Sequence, residues 1–170
     1  MRINNPMPIM IQKLRGHLMS QENTVNLPVK IFPYHVYYAD TDAGGIVYYA
    51  QYLRMFEQAR TLYVKDCGLT LREMERRNCV FVCRNAEIEY LSPALLDDHL
   101  QIHTQITDIG KVYLLFAYTV TSGDRKNPDG KEITIVKGTT KLVACKIQED
   151  HAMPIRIPRW ILDAILSETE

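Results

Sequence analysis

The hydrophobic period of the chain changes twice, and each change marks a change of element. Over residues 30–38 (KIFPYHVYY) aromatic and β-branched side chains crowd together, which favours a strand. Pro33 assigns that strand to an edge or a bulge, because proline cannot donate to an interior ladder. The run Asp40-Thr41-Asp42-Ala43-Gly44-Gly45 is made of turn residues and stops it. Tyr48, Tyr52, Phe56, Ala59 and Tyr63 then recur at three- and four-residue steps, joined by Leu53 and Leu62, while Arg54, Glu57 and Lys65 take other faces. This spacing predicts one long helix over 47–67, about 30 Å long, with Gly68 as its C-terminal stop. A shorter helical piece follows over 71–77, and beyond it the period becomes two. Strands are expected over 79–90, 99–108, 112–122 and 132–148, separated by Ser92-Pro93, by Ile109-Gly110 and by GDRKNPDG at 123–130. The cleanest alternation sets Leu100, Ile102, Thr104 and Ile106 against His99, Gln101, His103 and Gln105, so one face of that strand meets the core. Pro158 ahead of Trp160, Ile161, Ile165 and Leu166 predicts a closing helix. One long early helix followed by an antiparallel sheet fits a layered α+β domain in which the sheet covers the helix.

Composition narrows the function classes. A 170-residue chain with 46% apolar residues can bury a core without disulfides or a structural metal. Twenty basic residues balance twenty acidic ones, so no global field holds nucleic acid or an anionic membrane, and little self-repulsion opposes an oligomer. Four cysteines without a C-x-x-C pair, and no secretory leader, read as a reduced cytoplasmic protein. The apolar patch at 7–11 is too short for a signal-peptide core or a bilayer span. With the polar stretch 20–26 after it, residues 1–27 are expected to form a flexible leader and 28–170 the domain. A membrane-surface or partner-binding helix is the other reading of the leader.

Several chemistries fail on spacing. Asp40-x-Asp42-x-x-Gly45 imitates the opening of an EF-hand loop, but Gly44 and Gln51 stand where carboxylates are needed. His99 and His103 lie about 13 Å apart on a strand and cannot share a metal, and Cys79 and Cys83 read as half-buried packing residues. No nucleophile elbow, P-loop or dinucleotide fingerprint is present. No metal and no cofactor is expected. What survives is the junction of strand, Asp-Gly loop and helix at 38–49. There a carboxylate would face the unpaired N–H groups and positive dipole end of a helix, a setting suited to an acyl oxygen that becomes negative. The carboxylate would serve as base for water or as nucleophile. The plain alternative is that Asp40 or Asp42 caps the helix, worth about 1 kcal/mol.

The run YYADTDAGGIVYYAQYLRMFEQAR at 37–60 resembles the signature of the hot-dog-fold acyl-CoA thioesterases of the 4-hydroxybenzoyl-CoA thioesterase family, nearest the Tol-Pal-associated branch. The likeness extends from about Pro28 to the closing helix and includes AEIEYLSPA at 86–94 and Leu96-Asp97-Asp98. It implies an antiparallel sheet of five or six strands wrapped around one long central helix, assembled as a homodimer or homotetramer. It also implies hydrolysis of acyl-CoA, with acyl carrier protein as a second carrier. By the same resemblance Asp42 is the catalytic carboxylate and the Tyr49 backbone N–H binds the thioester oxygen. Gly45, Val47 and Tyr48 border the substrate, Asp40 shapes the loop, and Lys111 is a candidate anchor for coenzyme A phosphates or a solvated turn lysine. Tyr48, Tyr52 and Phe56 at helical spacing read first as core and second as an acyl pocket. Glu57, the carboxylate of another lineage on this fold, reads here as a helix-face partner for Arg60 or Arg54. Tyr49 stands where the Tol-Pal-associated branch carries His, and a phenol with a pKa of about 10 is a poor base at neutral pH. The hydroxybenzoyl branch also has an aromatic residue there. Three readings therefore stand beside acyl-CoA hydrolysis in general: an aromatic acyl-CoA thioesterase, a non-catalytic acyl-CoA or carrier-protein binding module on the same fold, and a scaffold subunit linked to lipid metabolism.

Overall fold

Pro33 lies in an edge strand. In the computed structural model, which describes residues 27–149 and 151–167, β1 (Lys30–His35) pairs only with β3 (His99–Ile109). The sheet continues through β4 (Tyr113–Lys126) and β5 (Glu132–Gln148) to β2 (Val80–Tyr90), in the order β1-β3-β4-β5-β2, with every pair antiparallel. A sixth strand, β6 (His151–Pro154), takes up the end of β5. Four residues without alternation carry no period, so β6 left no pattern to read in the sequence. The N-terminal leader lies outside the described residues except for Leu27, which is buried and whose carbonyl accepts from the Gln105 side chain.

The long helix α1 (Gln51–Asp66) crosses the sheet and buries Tyr52, Met55, Phe56, Ala59 and Tyr63, one stripe at helical spacing. These side chains meet Leu100, Ile102 and Ile106 of β3 and Leu114, Phe116 and Val120 of β4, the inward positions of two alternating strands. Phe56 stacks on Tyr118 with ring centroids 4.2 Å apart, and Tyr63 meets Phe116 edge-on at 5.8 Å. Gly138 lets the helix descend this far, since a Cβ there would stand 2.6 Å from the Phe56 ring and 2.7 Å from the Glu87 carbonyl oxygen. The short helix α2 (Leu71–Arg76) is capped by Thr70, whose hydroxyl accepts from the Glu73 N–H at 3.2 Å. The closing helix α3 (Arg159–Leu166) turns Ile161 and Ile165 into the core.

Two boundaries differ from the periodic reading, for a common reason. The expected strand over 30–38 ends at His35, and a 3-10 turn at Tyr38–Asp40 replaces its tail, held by the Asp40 carboxylate accepting from the Tyr37 N–H. The expected helix start at residue 47 moves to Gln51, because Ile46 and Val47 are extended and bridge to Leu95 and Thr41. Tyr48 continues the aromatic period but precedes the helix and is 41% exposed. Long-range pairing at both places satisfies backbone groups that a longer local element would otherwise have used. At the other end of the sheet β4 runs past Gly123 to Lys126, because Gly123 packs over the His99 carbonyl instead of turning the chain. Cys79 is buried, whereas Cys83 on β2 is exposed rather than half-buried.

Candidate active site

The two aspartates of the junction have opposite surroundings. Asp40 is 6% exposed; one carboxylate oxygen accepts from the Tyr34 hydroxyl at 3.0 Å and the other from the Tyr37 N–H at 2.9 Å. Its main-chain oxygen accepts from the Tyr48 N–H at 2.8 Å. Burial, then the hydrogen bond to Asp40, pushes the Tyr34 phenol up to about 12, so it stays a donor throughout the neutral range. Both carboxylate oxygens of Asp40 are thereby engaged within the turn.

Asp42 is exposed, at the start of a tight turn closed by Gly45 N–H to Asp42 O at 2.9 Å and by Asp42 N–H to Ile46 O at 3.0 Å. Gly45 has φ of +72°, a conformation that favours glycine. The Gly44 N–H donates to Asp42 Oδ1 at 2.7 Å, and a Cβ on Gly44 would come within 3.0 Å of that oxygen. This holds one carboxylate oxygen against the loop and leaves Oδ2 open to solvent, with no hydrogen-bond partner among the described residues.

The chain then runs through Val47, whose N–H donates to the Ala94 carbonyl at 2.9 Å and whose side chain is buried. The 93–98 segment that receives it is itself braced. Asp98 accepts from the Leu95 N–H and from Arg125, and Arg125 also donates to the Pro93 carbonyl, each at 2.7–2.8 Å. Helix α1 begins three residues after Tyr48, and the N–H groups of Tyr49 and Ala50 have no partner among the described residues. Those amides carry the positive end of the helix dipole. The rings of Tyr48 and Tyr49 meet at 4.5 Å; a hydrogen bond donated by the Tyr48 hydroxyl to Tyr49, with the charges of Tyr49 and Asp42 adding, raises the Tyr48 phenol above its ordinary pKa. An open carboxylate oxygen and unpartnered amides on the same short segment can activate water and receive an oxyanion.

Among the sequence-derived candidates, the structure collects Asp40, Asp42, Gly45, Val47, Tyr48 and Tyr49 in this one junction. Val47 offers no side chain to a ligand. Lys111 is exposed in the β3–β4 turn, past the far end of an eleven-residue strand whose near end, His99, pairs with His35. One chain alone does not bring it to Asp42. Glu57 forms no ion pair with Arg54 or Arg60 among the described residues, which corrects the helix-face pairing expected from spacing. The charge of Arg60 acts instead on the Tyr118 phenol, whose hydroxyl is bonded to Thr140, and that of Arg54 acts on Tyr34. Periodicity missed Tyr34, Tyr90, Asp98 and Arg125, which hold the junction from other elements. Tyr90 and Asp98 lie inside the two downstream runs that carried the family resemblance. No group of three metal-ligating side chains forms among the described residues, and no helix there is long and apolar enough to cross a membrane.

Comparison with known proteins agrees with this architecture. The family model described as the thioesterase-like superfamily matches residues 36–165. The acyl-CoA thioesterase YbgC of Haemophilus influenzae is 42% identical over 131 residues, covering 76% of this chain and 89% of that protein. A Bartonella henselae structure described as a probable thioesterase is 28% identical, with TM-score 0.66 over 77% of this chain and all of that one. A 4-hydroxybenzoyl CoA thioesterase shares the hot-dog fold at TM-score 0.73 and 19% identity, covering 81% of this chain and 98% of that chain.

Proposed function

We infer that this chain, which belongs to the thioesterase-like superfamily, hydrolyses the thioester of acyl-CoA to a free acid and a thiol. The observation that carries the site assignment is one Asp42 oxygen left open in the same short junction whose Tyr49 and Ala50 amides have no partner among the described residues. The thioester carbonyl oxygen sits on the Tyr49 N–H, in line with the α1 dipole. Asp42 takes a proton from water as the water oxygen attacks the carbonyl carbon. The tetrahedral oxyanion is held by the amides, the C–S bond breaks, and the proton passes to the departing thiolate. Direct attack by Asp42, through a mixed anhydride, uses the same carboxylate and the same amides. Gly45 and Tyr48 border the thioester, and Asp40 keeps the loop in shape.

The chain works as a homodimer or homotetramer. In support, β2 is an edge strand that among the described residues pairs only with β5, and Leu53, Leu62 and Val82 are exposed on α1 and β2. Lys111 would then meet coenzyme A phosphates only from a neighbouring subunit. The catalytic unit is residues 28–170, with 1–27 as a leader. Free thiols at Cys67, Cys79, Cys83 and Cys145 agree with a cytoplasmic setting. Acyl carrier protein as a second carrier and a Tol-Pal connection rest on the family resemblance.

The test is thiol release from short, long and aromatic acyl-CoAs and from acyl carrier protein thioesters, comparing wild type with Asp42→Asn. The Asn oxygen still accepts from Gly44, so the fold is kept, and turnover falls about a hundredfold or more, as for loss of a general base. Unchanged turnover in the variant would refute the assignment of Asp42. Tight binding of acyl-CoA without turnover by wild type would identify a binding module.

A further inference from the structure

A cavity of about 130 Å3 lies between α1, the sheet and α3, walled by Val64, Met74, Leu114, Leu142, Ile161 and Ile165. An apolar hole of this order holds a benzene-sized group without water. Its rim carries Glu57, Arg60 and Thr61 of α1 and Phe81 of β2. Glu57 is exposed and Arg60 half-buried, so each can offer its methylene stem to the opening while its charged head reaches solvent.

The cavity lies further along the helix that starts at the junction. Helix α1 begins beside Tyr49, and Glu57 and Val64 lie roughly 9 and 20 Å further along its axis. Strand β2 follows the same course. Tyr90 touches Tyr49 and Tyr52, Ile88 lies at Gly138 where Phe56 is seated, and Phe81 reaches the cavity rim. Between these contacts β2 presents the small, exposed Ala86 and Cys83. The exposed seam between α1 and β2, with Leu53 and Glu57 on one side and Ala86 and Cys83 on the other, therefore runs from the helix start toward this chamber.

We propose that this chamber receives the distal end of a straight acyl chain whose thioester carbonyl sits at Tyr49, so that the protein selects long straight-chain acyl thioesters over short or aromatic ones. The proposal rests on the acyl-CoA reading of the same site. A short chain ends within the first turn or two of α1, before the chamber, and a ring joined directly to the thioester carbonyl cannot reach it. Only a long chain gains the burial of its last methylenes.

The experiment measures kcat/KM for palmitoyl-, octanoyl-, butyryl- and benzoyl-CoA with wild type, Val64→Trp and Thr61→Trp. Val64→Trp fills the chamber from α1, and Thr61→Trp closes its rim from a half-buried position that tolerates a larger side chain. The palmitoyl-to-butyryl ratio is expected to exceed one in wild type and to fall in both variants, by roughly tenfold for every two methylenes excluded. Variants that keep the wild-type Tm and an unchanged ratio would overturn the proposal, as would a wild type that prefers butyryl- or benzoyl-CoA. Absence of turnover on every acyl-CoA by wild type would strike the parent reading instead. In that case calorimetric binding of palmitoyl- against butyryl-CoA, in wild type and Val64→Trp, decides the chamber: a ratio of Kd values indifferent to the substitution would refute it.

Discussion

The Tyr90 hydroxyl donates a hydrogen bond to the main-chain oxygen of Tyr49 at 3.1 Å, so the edge strand β2 holds the peptide that leads into helix α1. The Tyr90 ring also packs edge-on against buried Tyr52. Burial and the neighbouring Tyr49 raise the Tyr90 phenol above its ordinary pKa, which keeps it a donor at neutral pH. A residue forty-one positions downstream thus fixes the plane of the Tyr49–Ala50 peptide, next to the proposed oxyanion donor.

Tyr90→Phe keeps the ring and removes the bond. We expect kcat to fall about tenfold, the kinetic equivalent of one hydrogen bond, with KM for acyl-CoA little changed. A Tm near that of wild type would show that the loss is positional. Equal kcat in a folded variant would mean that the helix start holds its own geometry.

Tyr49→His retains the backbone N–H and exchanges a phenol for an imidazole that titrates near neutrality. Activity equal to or above wild type is expected across pH 6–8, an interval spanning roughly the ordinary histidine pKa. Complete loss would reveal a separate role for the Tyr49 hydroxyl, for instance through its contact with Tyr48.

Alkaline stability should be set by buried phenols. Tyr34 and Tyr52 are both pushed up to about 12, by burial first. Between their unfolded values, about 10, and 12 the unfolded chain has released protons that the folded chain retains, so stability falls as pH rises through this window and is fully present below it. Denaturant midpoints measured across the window should decline steeply for wild type and less so for Tyr34→Phe and Tyr52→Phe. Parallel curves would show that neither phenol governs the decline.

Thr104 sits fully buried on the inward face of β3, and its hydroxyl finds no partner among the described residues. Thr104→Val removes an unsatisfied polar atom at nearly constant shape and should stabilise the fold by about 1 kcal/mol in chemical denaturation. Destabilisation would indicate an ordered water bound to that oxygen.

The alternating strands were legible because burial on one face leaves a period of two, and Leu100, Ile102 and Ile106 of β3 are buried as that rule requires. The long helix was legible for the same kind of reason, but only over the part whose stripe is buried. Tyr48 matched the period, yet its N–H is bonded to Asp40 O and its ring is half in solvent, because a bridge between residues 41 and 47 outcompetes one more helical turn. Asp40 and Asp42 are alike in the sequence. Their difference arises from Tyr34, six residues upstream on β1, which reaches one and not the other. Glu57 and Arg60 had the spacing of an ion pair, but none forms among the described residues, and the charge of Arg60 acts on the Tyr118 phenol, which only the sheet could bring beside it. Local pattern located the junction, and the groups that orient it came from strands that no local window includes.

The free edge of β2 also bears on handling of the protein. The outer edge of this eleven-residue strand, carrying Val82 and Tyr90 in solvent, is a template for any extended chain that meets it. In the proposed dimer a second copy covers this template, so dilution or mutation that separates the copies is expected to lead to precipitation. Thermal midpoints should then rise with protein concentration, and shelf life would be governed by how tightly two copies occupy each other's edge.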